Sequence, residues 1–323
     1  MCFVIASQAR QCVPTNEKRT GSLGAAATSA RMKLLAGRKT IHCEKINTKF
    51  EATKVAFGNN KPKCRKFTVL REVNVEKLTS RRNQKCVHVK NLGKSKEYRN
   101  EHGEFLCDGK KLLEEAIKSK ATITGIFTTS PIREKLPNDT PVYLIEESIM
   151  ETLSPLKNPQ GILFTCKIPD TKDPDLKKGT HILLDNVQDP GNVGTIIRSA
   201  DAFGIDSVLL TQDSADPYNP KTVRATMGAI FRQNVLYIET DKLKSPEIKV
   251  IGTGNKNGEY NTLSETKLQN AVIILGNEGQ GISEKLKVLC DEMITIPLSK
   301  GCESLNVSIA ASIIMWEAGK EWS

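Results

Sequence analysis

Three short stretches of the 323-residue chain combine residue types that can do chemistry with a spacing that would bring them together. The first is Asp185-Asn186-Val187-Gln188-Asp189-Pro190-Gly191-Asn192-Val193-Gly194-Thr195-Ile196-Ile197-Arg198, with an amide at Asn192 and a guanidinium at Arg198. The second is Gly276-Asn277-Glu278-Gly279-Gln280-Gly281, a carboxylate set among glycines; the third holds Ser304 and Asn306 on either side of Leu305. None pairs an Asp with a His, and none offers metal-ligand spacing. The carboxylate among glycines either caps the next helix or orients a bound group. Taken singly, each has a plainer reading: Arg198 as a surface or salt-bridge residue, Glu278 as a helix cap, Ser304 and Asn306 as caps of the last helix. It is their recurrence in one design that points to a site.

That design is an apolar strand, a Gly- or Pro-bearing loop, then a helix, and it needs a scaffold. From His181 the periodicity predicts strands at 181–184, 207–210, 235–238, 249–252, 272–275 and 294–296. Helices are predicted at 195–203, 219–227, 283–289 and 305–316. Asn192 is expected in the loop and Arg198 on the helix behind it. Alternation of this kind describes a mostly parallel sheet, whose ligands sit beyond the carboxyl ends of the strands. The glycine order G-x-x-G-x-G at 276–281 is not the G-x-G-x-x-G dinucleotide fingerprint and follows a late strand, which disfavours a Rossmann-type oxidoreductase.

Upstream, Gly103 to Lys167 alternates strand and helix in about 65 residues, a small α/β layer domain placed at 101–168. Residues 168–175, with two prolines and alternating charge, read as the linker to a second domain at 179–323. Residues 67–100 are basic and poor in apolar side chains, and read as a linker ending in a first helix near Val87–Asn91.

Charge is uneven. Of 47 basic and 37 acidic residues, 14 and 3 lie within 1–66, which leaves 33 and 34 for the rest. The acid-poor segment 1–66, rich in Arg, Lys, Ser, Thr and Ala, reads as a basic disordered tail with the composition of an organellar transit peptide; a tail that touches RNA without sequence preference is the alternative. Nine dispersed cysteines without C-x-x-C pairs read as free thiols, and neither a metal site nor a membrane partner is expected.

The three polar stretches resemble the signature motifs of the SpoU/TrmH family of RNA ribose 2′-O-methyltransferases, within the SPOUT superfamily. Asn192 and Arg198 match the first motif, Asn277-Glu278-Gly279 the second and Ser304-Leu305-Asn306-Val307-Ser308 the third. The resemblance spans 179–323. The upstream domain, especially Glu104 to Ala116, resembles the small ribosomal-protein-like RNA-binding domain that often precedes it. The resemblance implies an α/β sheet whose C-terminal segment is threaded into a trefoil knot, an exception to the general avoidance of knots. It further implies S-adenosyl-L-methionine as cofactor, held at Gly276, Ile296 and Leu305. The catalytic set would be Arg198, Asn192, Glu278, Ser304 and Asn306, with Asn192 positioning Arg198 or the ribose. Family members are homodimers with the last helix in the interface. RNA, favouring mitochondrial large-subunit rRNA, is the implied substrate, with Lys221, Arg224 and Arg232 as further basic residues near the site. A tRNA substrate and a non-catalytic RNA-binding protein of the same fold are the alternatives.

Overall fold

The computed structural model describes residues 75–132, 136–137, 139–155, 159–254, 260–302 and 304–319. The tail at 1–66 and its transit-peptide reading lie outside the described residues, as do residues 67–74.

The stretch from Val75 to Asn100 is not a linker. It forms β1 (Val75–Lys77), α1 (Gln84–Lys94) and most of α2 (Lys96–His102), all part of the small domain. Asn83 caps α1 by accepting from the Lys85 amide at 2.9 Å, and Ser95 caps α2. The apolar positions are sparse, yet Cys86, Val89 and Leu92 recur on one face of α1 and are fully buried. A three-residue stripe of that kind is hidden in composition by the lysines on the opposite face.

The domain continues with β2 (Glu104–Asp108), α3 (Lys110–Lys118), β3 (Ile123–Thr128), β4 (Val142–Leu144), α4 (Glu147–Leu153) and β5 (Ile162–Lys167). Its five strands run in the order β1-β4-β3-β5-β2, with β5 antiparallel to both neighbours. Strand alternation sends Leu106 to a layer with α1 and α4, whereas Phe105 and Cys107 face the opposite way. On that opposite side, Phe105 meets Tyr218 and Phe231 of the second domain at ring-centroid distances of 5.0 and 6.1 Å. One apolar cluster therefore runs through both domains, although residues 168–179 between them carry neither helix nor strand.

The second domain comprises β6 (Thr180–Leu184), α5 (Pro190–Ala202), β7 (Ser207–Leu210), α6 (Pro220–Ala225), β8 (Val235–Tyr237), β9 (Lys249–Thr253), β10 (Asn261–Thr262), β11 (Ala271–Leu275), α7 (Glu284–Lys287), β12 (Glu292–Thr295) and α8 (Val307–Ala318). Seven parallel strands lie in the order β10-β12-β9-β11-β6-β7-β8. The chain starts in the middle at β6, builds outward to β8, then crosses over and inserts β11 beside β6. The boundary between β6 and β11 is thus the switch point at which successive loops diverge and leave a crevice.

Helix α5 begins five residues before its predicted start. Asp189 accepts from the Asn192 amide at 2.8 Å as N-cap and Pro190 takes the first helical position. Asn192 accordingly stands on the helix, not in the loop. Gly194, which has the look of a turn residue, is buried against α6: a Cβ there would lie 2.5 Å from both Ala225 Cβ and the Thr222 carbonyl oxygen.

The two domains are clamped by a buried ion pair. Arg99 of α2 donates to Asp216 Oδ2 from Nε at 2.9 Å and from Nη2 at 2.5 Å, and to the Leu92 carbonyl at 2.7 Å. The two side chains are 3% and 9% exposed. Arg232 of the second domain meets Asp201 and Glu115, the latter on α3.

Candidate active site

The structure assembles its polar network at the β6/β11 switch point. Asn192 Nδ2 donates to Glu278 Oε1 at 2.6 Å, and Asn306 Nδ2 donates to Asn192 Oδ1 at 3.1 Å. Three residues spread over 114 positions thus form one chain of hydrogen bonds, the bond to the carboxylate being charge-assisted. Asn306 also caps α8: its Oδ1 accepts from the Ser308 amide and hydroxyl at 2.9 and 2.6 Å and from the Ile309 amide at 3.3 Å. The capping and site readings of this residue hold together, because its amide oxygen serves the helix while its amide nitrogen serves the network.

Glu278 caps no helix. It projects from a hairpin in which Asn277 and Gly281 exchange backbone hydrogen bonds at 3.0 and 2.9 Å. Asn277 does the shaping: its Oδ1 accepts from the Gly279 and Gln280 amides at 2.9 and 3.1 Å, and its Nδ2 donates to the Asn186 carbonyl at 2.9 Å. Asn186 itself adopts φ +55°, a left-handed conformation that asparagine tolerates. Asp185, buried at the end of β6, accepts from the Ser283 amide at 2.7 Å. Asn277, Asn186 and Asp185 therefore bind the first and second motif loops together. Their only signal in the sequence is membership of those motifs.

Arg198 is not joined to this network. It is exposed and carries no hydrogen bond or ion pair among the described residues. Six residues beyond Asn192 it is about 120° round the helix and roughly 9 Å along it, so Asn192 orients Glu278 and Asn306 instead of Arg198. Ser304 is exposed too, without a side-chain hydrogen bond among the described residues. Of the other basic residues, Arg232 is committed to Asp201 and Glu115, while Lys221 and Arg224 are exposed.

The remaining residues surround the carboxyl ends of β9, β11 and β12, which lie side by side and are followed directly by Gly254, Gly276 and Ile296. A Cβ on Gly276 would stand 2.1 Å from the Gly281 carbonyl carbon and 2.2 Å from the Ile282 nitrogen, so no side chain fits there. A Cβ on Gly254, a residue that no sequence motif marks, would press on the Tyr260 ring at 3.0 Å. Ile296 and Leu305 are half-buried apolar side chains on the loop after β12. The glycines at these two strand ends let the chain close tightly on itself, Gly276 on Gly281 and Ile282, and Gly254 on the Tyr260 ring, with Ile296 and Leu305 as apolar neighbours on the loop after β12.

An all-parallel sheet with a carboxylate and two amides at its switch point defines an α/β protein with a polar ligand crevice at the carboxyl ends of its strands. A model described as the SpoU rRNA Methylase family matches residues 179–316, and one described as an MRM3-like substrate binding domain matches 83–163. The chain is 35% identical over 252 residues, 75% of its length and 98% of the relative's, to 23S rRNA (guanosine(2553)-2′-O)-methyltransferase RlmP of Bacillus subtilis. It is 25% identical over 317 residues, covering 77% of this chain and 73% of the relative, to rRNA methyltransferase 3A, mitochondrial, of Danio rerio. Among solved structures, an AdoMet-bound rRNA methyltransferase from Sinorhizobium meliloti superposes with a TM-score of 0.67 at 26% identity, over 77% of this chain and 99% of its own. A TrmH-family protein of Porphyromonas gingivalis gives 0.65 at 32% identity, over 72% and 96%. The chain belongs to the SpoU/TrmH family of RNA ribose 2′-O-methyltransferases, enzymes that use S-adenosylmethionine. The small-domain match beginning at residue 83 agrees with the place of α1 in the fold.

Proposed function

We propose that this protein methylates a ribose 2′-hydroxyl of large-subunit ribosomal RNA, in mitochondria, and that it works as a homodimer. The observation that carries the reading is the Asn306–Asn192–Glu278 chain at the switch point, beside the bare strand ends at Gly254 and Gly276. The substrate class follows the activities for which the bacterial and mitochondrial relatives are named. The compartment rests on the acid-poor tail and the mitochondrial relative.

S-Adenosylmethionine supplies an electrophilic methyl group on a sulfonium sulfur. When bound it would give that methyl group to the ribose oxygen and leave as the neutral thioether, and the hydroxyl proton would pass to solvent. Glu278, held by Asn192, orients the groups round the reacting hydroxyl, and Asn306 holds Asn192 in place. The part of the Arg198 guanidinium is to anchor phosphate and stabilise developing alkoxide charge. Ser304 lines the same loop as Leu305.

The exposed side of α8 carries Ile309, Ile313 and Trp316, 52%, 36% and 59% exposed, at i, i+4 and i+7. An apolar stripe of this kind suits a second copy of the chain, and α5, the helix of Arg198, packs beside it through Ser199 and Ser312 at 2.9 Å. A trefoil knot is part of the same reading. It is supported by the loop after β12, which leaves the far side of the sheet and returns to place Asn306 against Asn192.

The test is methyl transfer from labelled S-adenosylmethionine to large-subunit rRNA, followed by mapping of the methylated ribose. Arg198→Ala is expected to reduce turnover at least ~100-fold, about the effect of removing one charge-stabilising donor, while cofactor affinity by calorimetry is kept. Near-normal turnover would take Arg198 out of the mechanism, and a monomer by light scattering would refute the dimer.

A further inference from the structure

The small domain is clamped at the reactive end of the large sheet. Asp216 lies in the loop after β7, and Arg99 of α2 is buried against it. Lys96, the first residue of α2, sets its ammonium 4.5 Å from the centroid of the Tyr237 ring, and Tyr237 is the last residue of β8. The α1–α2 corner therefore stands at the carboxyl end of β8, the same end of the sheet that holds the Asn192–Glu278 pair. From β11 to β8 is three strand intervals, roughly 15 Å.

That corner is cationic. Lys90, half-buried, and Lys94, exposed, lie one turn apart on α1 outside the Cys86, Val89 and Leu92 face, and neither makes a hydrogen bond or ion pair among the described residues. The acid nearest in sequence, Glu97, accepts from the Ser95 hydroxyl at 2.8 Å within the first turn of α2. Its carboxyl is held below the ordinary range by backbone and hydroxyl hydrogen bonds. Between the corner and the catalytic loops, the ends of β6, β7 and β8 frame a cavity of about 330 Å³ whose charged lining is Asp185, Asp213, Glu239 and Lys285. Acid outweighs base in that cavity, whereas the corner sets Lys90, Lys94 and Lys96 against Glu97.

We infer that Lys90, Lys94 and Lys96 form a phosphate-docking surface for the RNA strand that flanks the target nucleotide, a few nucleotides from the methylated ribose. The inference rests on the proposed RNA substrate and specifies where on this chain its backbone is held.

The experiment uses the full chain carrying Lys90→Gln, Lys94→Gln and Lys96→Gln, with a fluorescent, unmethylated large-subunit rRNA transcript as probe. Removing one lysine–phosphate pair lowers the salt dependence, log Kd against log salt, by about 0.7 for a single strand. The triple variant should therefore drop that slope by about 2. The KM for RNA should rise about tenfold or more, with kcat within about twofold and calorimetric affinity for S-adenosylmethionine unchanged. Lys177→Gln with Lys178→Gln, at the opposite end of β6, is the matched control and should change none of these. An unaltered slope and KM in the triple variant, or an equal fall in the control, overturns the docking surface. If the wild-type chain binds the transcript with the expected lysine dependence but transfers no methyl group, the docking surface stands and the proposed reaction fails.

Discussion

Removing the Asp216 carboxylate should destabilise the whole fold, because of what it leaves behind. Arg99 makes three hydrogen bonds, two of them to Asp216 Oδ2, and its side chain is only 3% exposed. In Asp216→Ala the guanidinium stays buried with the Leu92 carbonyl as its one remaining acceptor. Breaking one half of a buried pair costs about 3–5 kcal/mol, most of it the desolvated charge left alone. The Tyr218 amide, which donates to Asp216 Oδ1 at 2.9 Å, is deprived of its acceptor as well, adding about 1 kcal/mol. For a folded part of this size, a destabilisation near 5 kcal/mol is about 10–20 °C in Tm. The assay is urea and thermal unfolding followed by circular dichroism, on the single variant, on Arg99→Met and on the double variant Arg99→Met, Asp216→Leu. Removing both charges leaves no buried charge unpaired, only the Tyr218 amide without its acceptor, so the double variant should recover most of the stability. The mechanism is refuted by a single variant within about 1 kcal/mol of wild type, or by a double variant as unstable as Asp216→Ala.

Gly276→Ala should cost the cofactor site more than about tenfold in affinity for S-adenosylmethionine, measured by calorimetry. The added Cβ meets backbone of Gly281 and Ile282 at 2.1–2.4 Å, and a main-chain obstacle cannot swing aside as a side chain would. Asp108, 8% exposed, has no partner for Oδ1 among the described residues, and burial pushes its carboxyl up against the lowering effect of the Ser154 hydroxyl bond. A raised folded pKa means the folded state binds the proton more tightly, so wild-type stability falls as pH rises from about 4, the unfolded value, through the folded one. Asp108→Asn should therefore unfold at higher urea than wild type at about pH 7, with the gap closing as pH drops below about 4; a gap independent of pH would refute the assignment.

Much of the scaffold is legible in the sequence because it depends on local pattern. The buried strand at 272–275 shows as an uninterrupted apolar run, the helix at 110–119 as a stripe of matching period, and that at 305–316 as an apolar segment. Three polar loops, each after an apolar strand, can be placed at one end of a parallel sheet by the same reasoning. What escapes is whatever depends on a distant partner. Val75 to Asn100 has the composition of a linker because its lysines outnumber its core residues; Cys86, Val89 and Leu92 become a core face only where Leu106 and α4 cover them. Asn192 has the neighbours of a loop residue, since Gly191 and Gly194 suggest a turn, whereas the Asp189 cap starts the helix and Gly194 serves a helix packing point.

The site divides along the same line. Residue types and motif spacing determine which side chains belong to it, since an amide, a carboxylate and glycine turns are properties of the chain itself. Which of them touch is decided by strand order. Inserting β11 beside β6 brings Glu278 within 2.6 Å of Asn192, and the return of the chain after β12 brings Asn306 to the other side of that amide. Helical geometry then turns Arg198 away from all three, about 120° round α5 from Asn192. Sequence carries periodicity over a few residues, but a hydrogen bond between positions 192 and 306 exists only once the sheet has set its order.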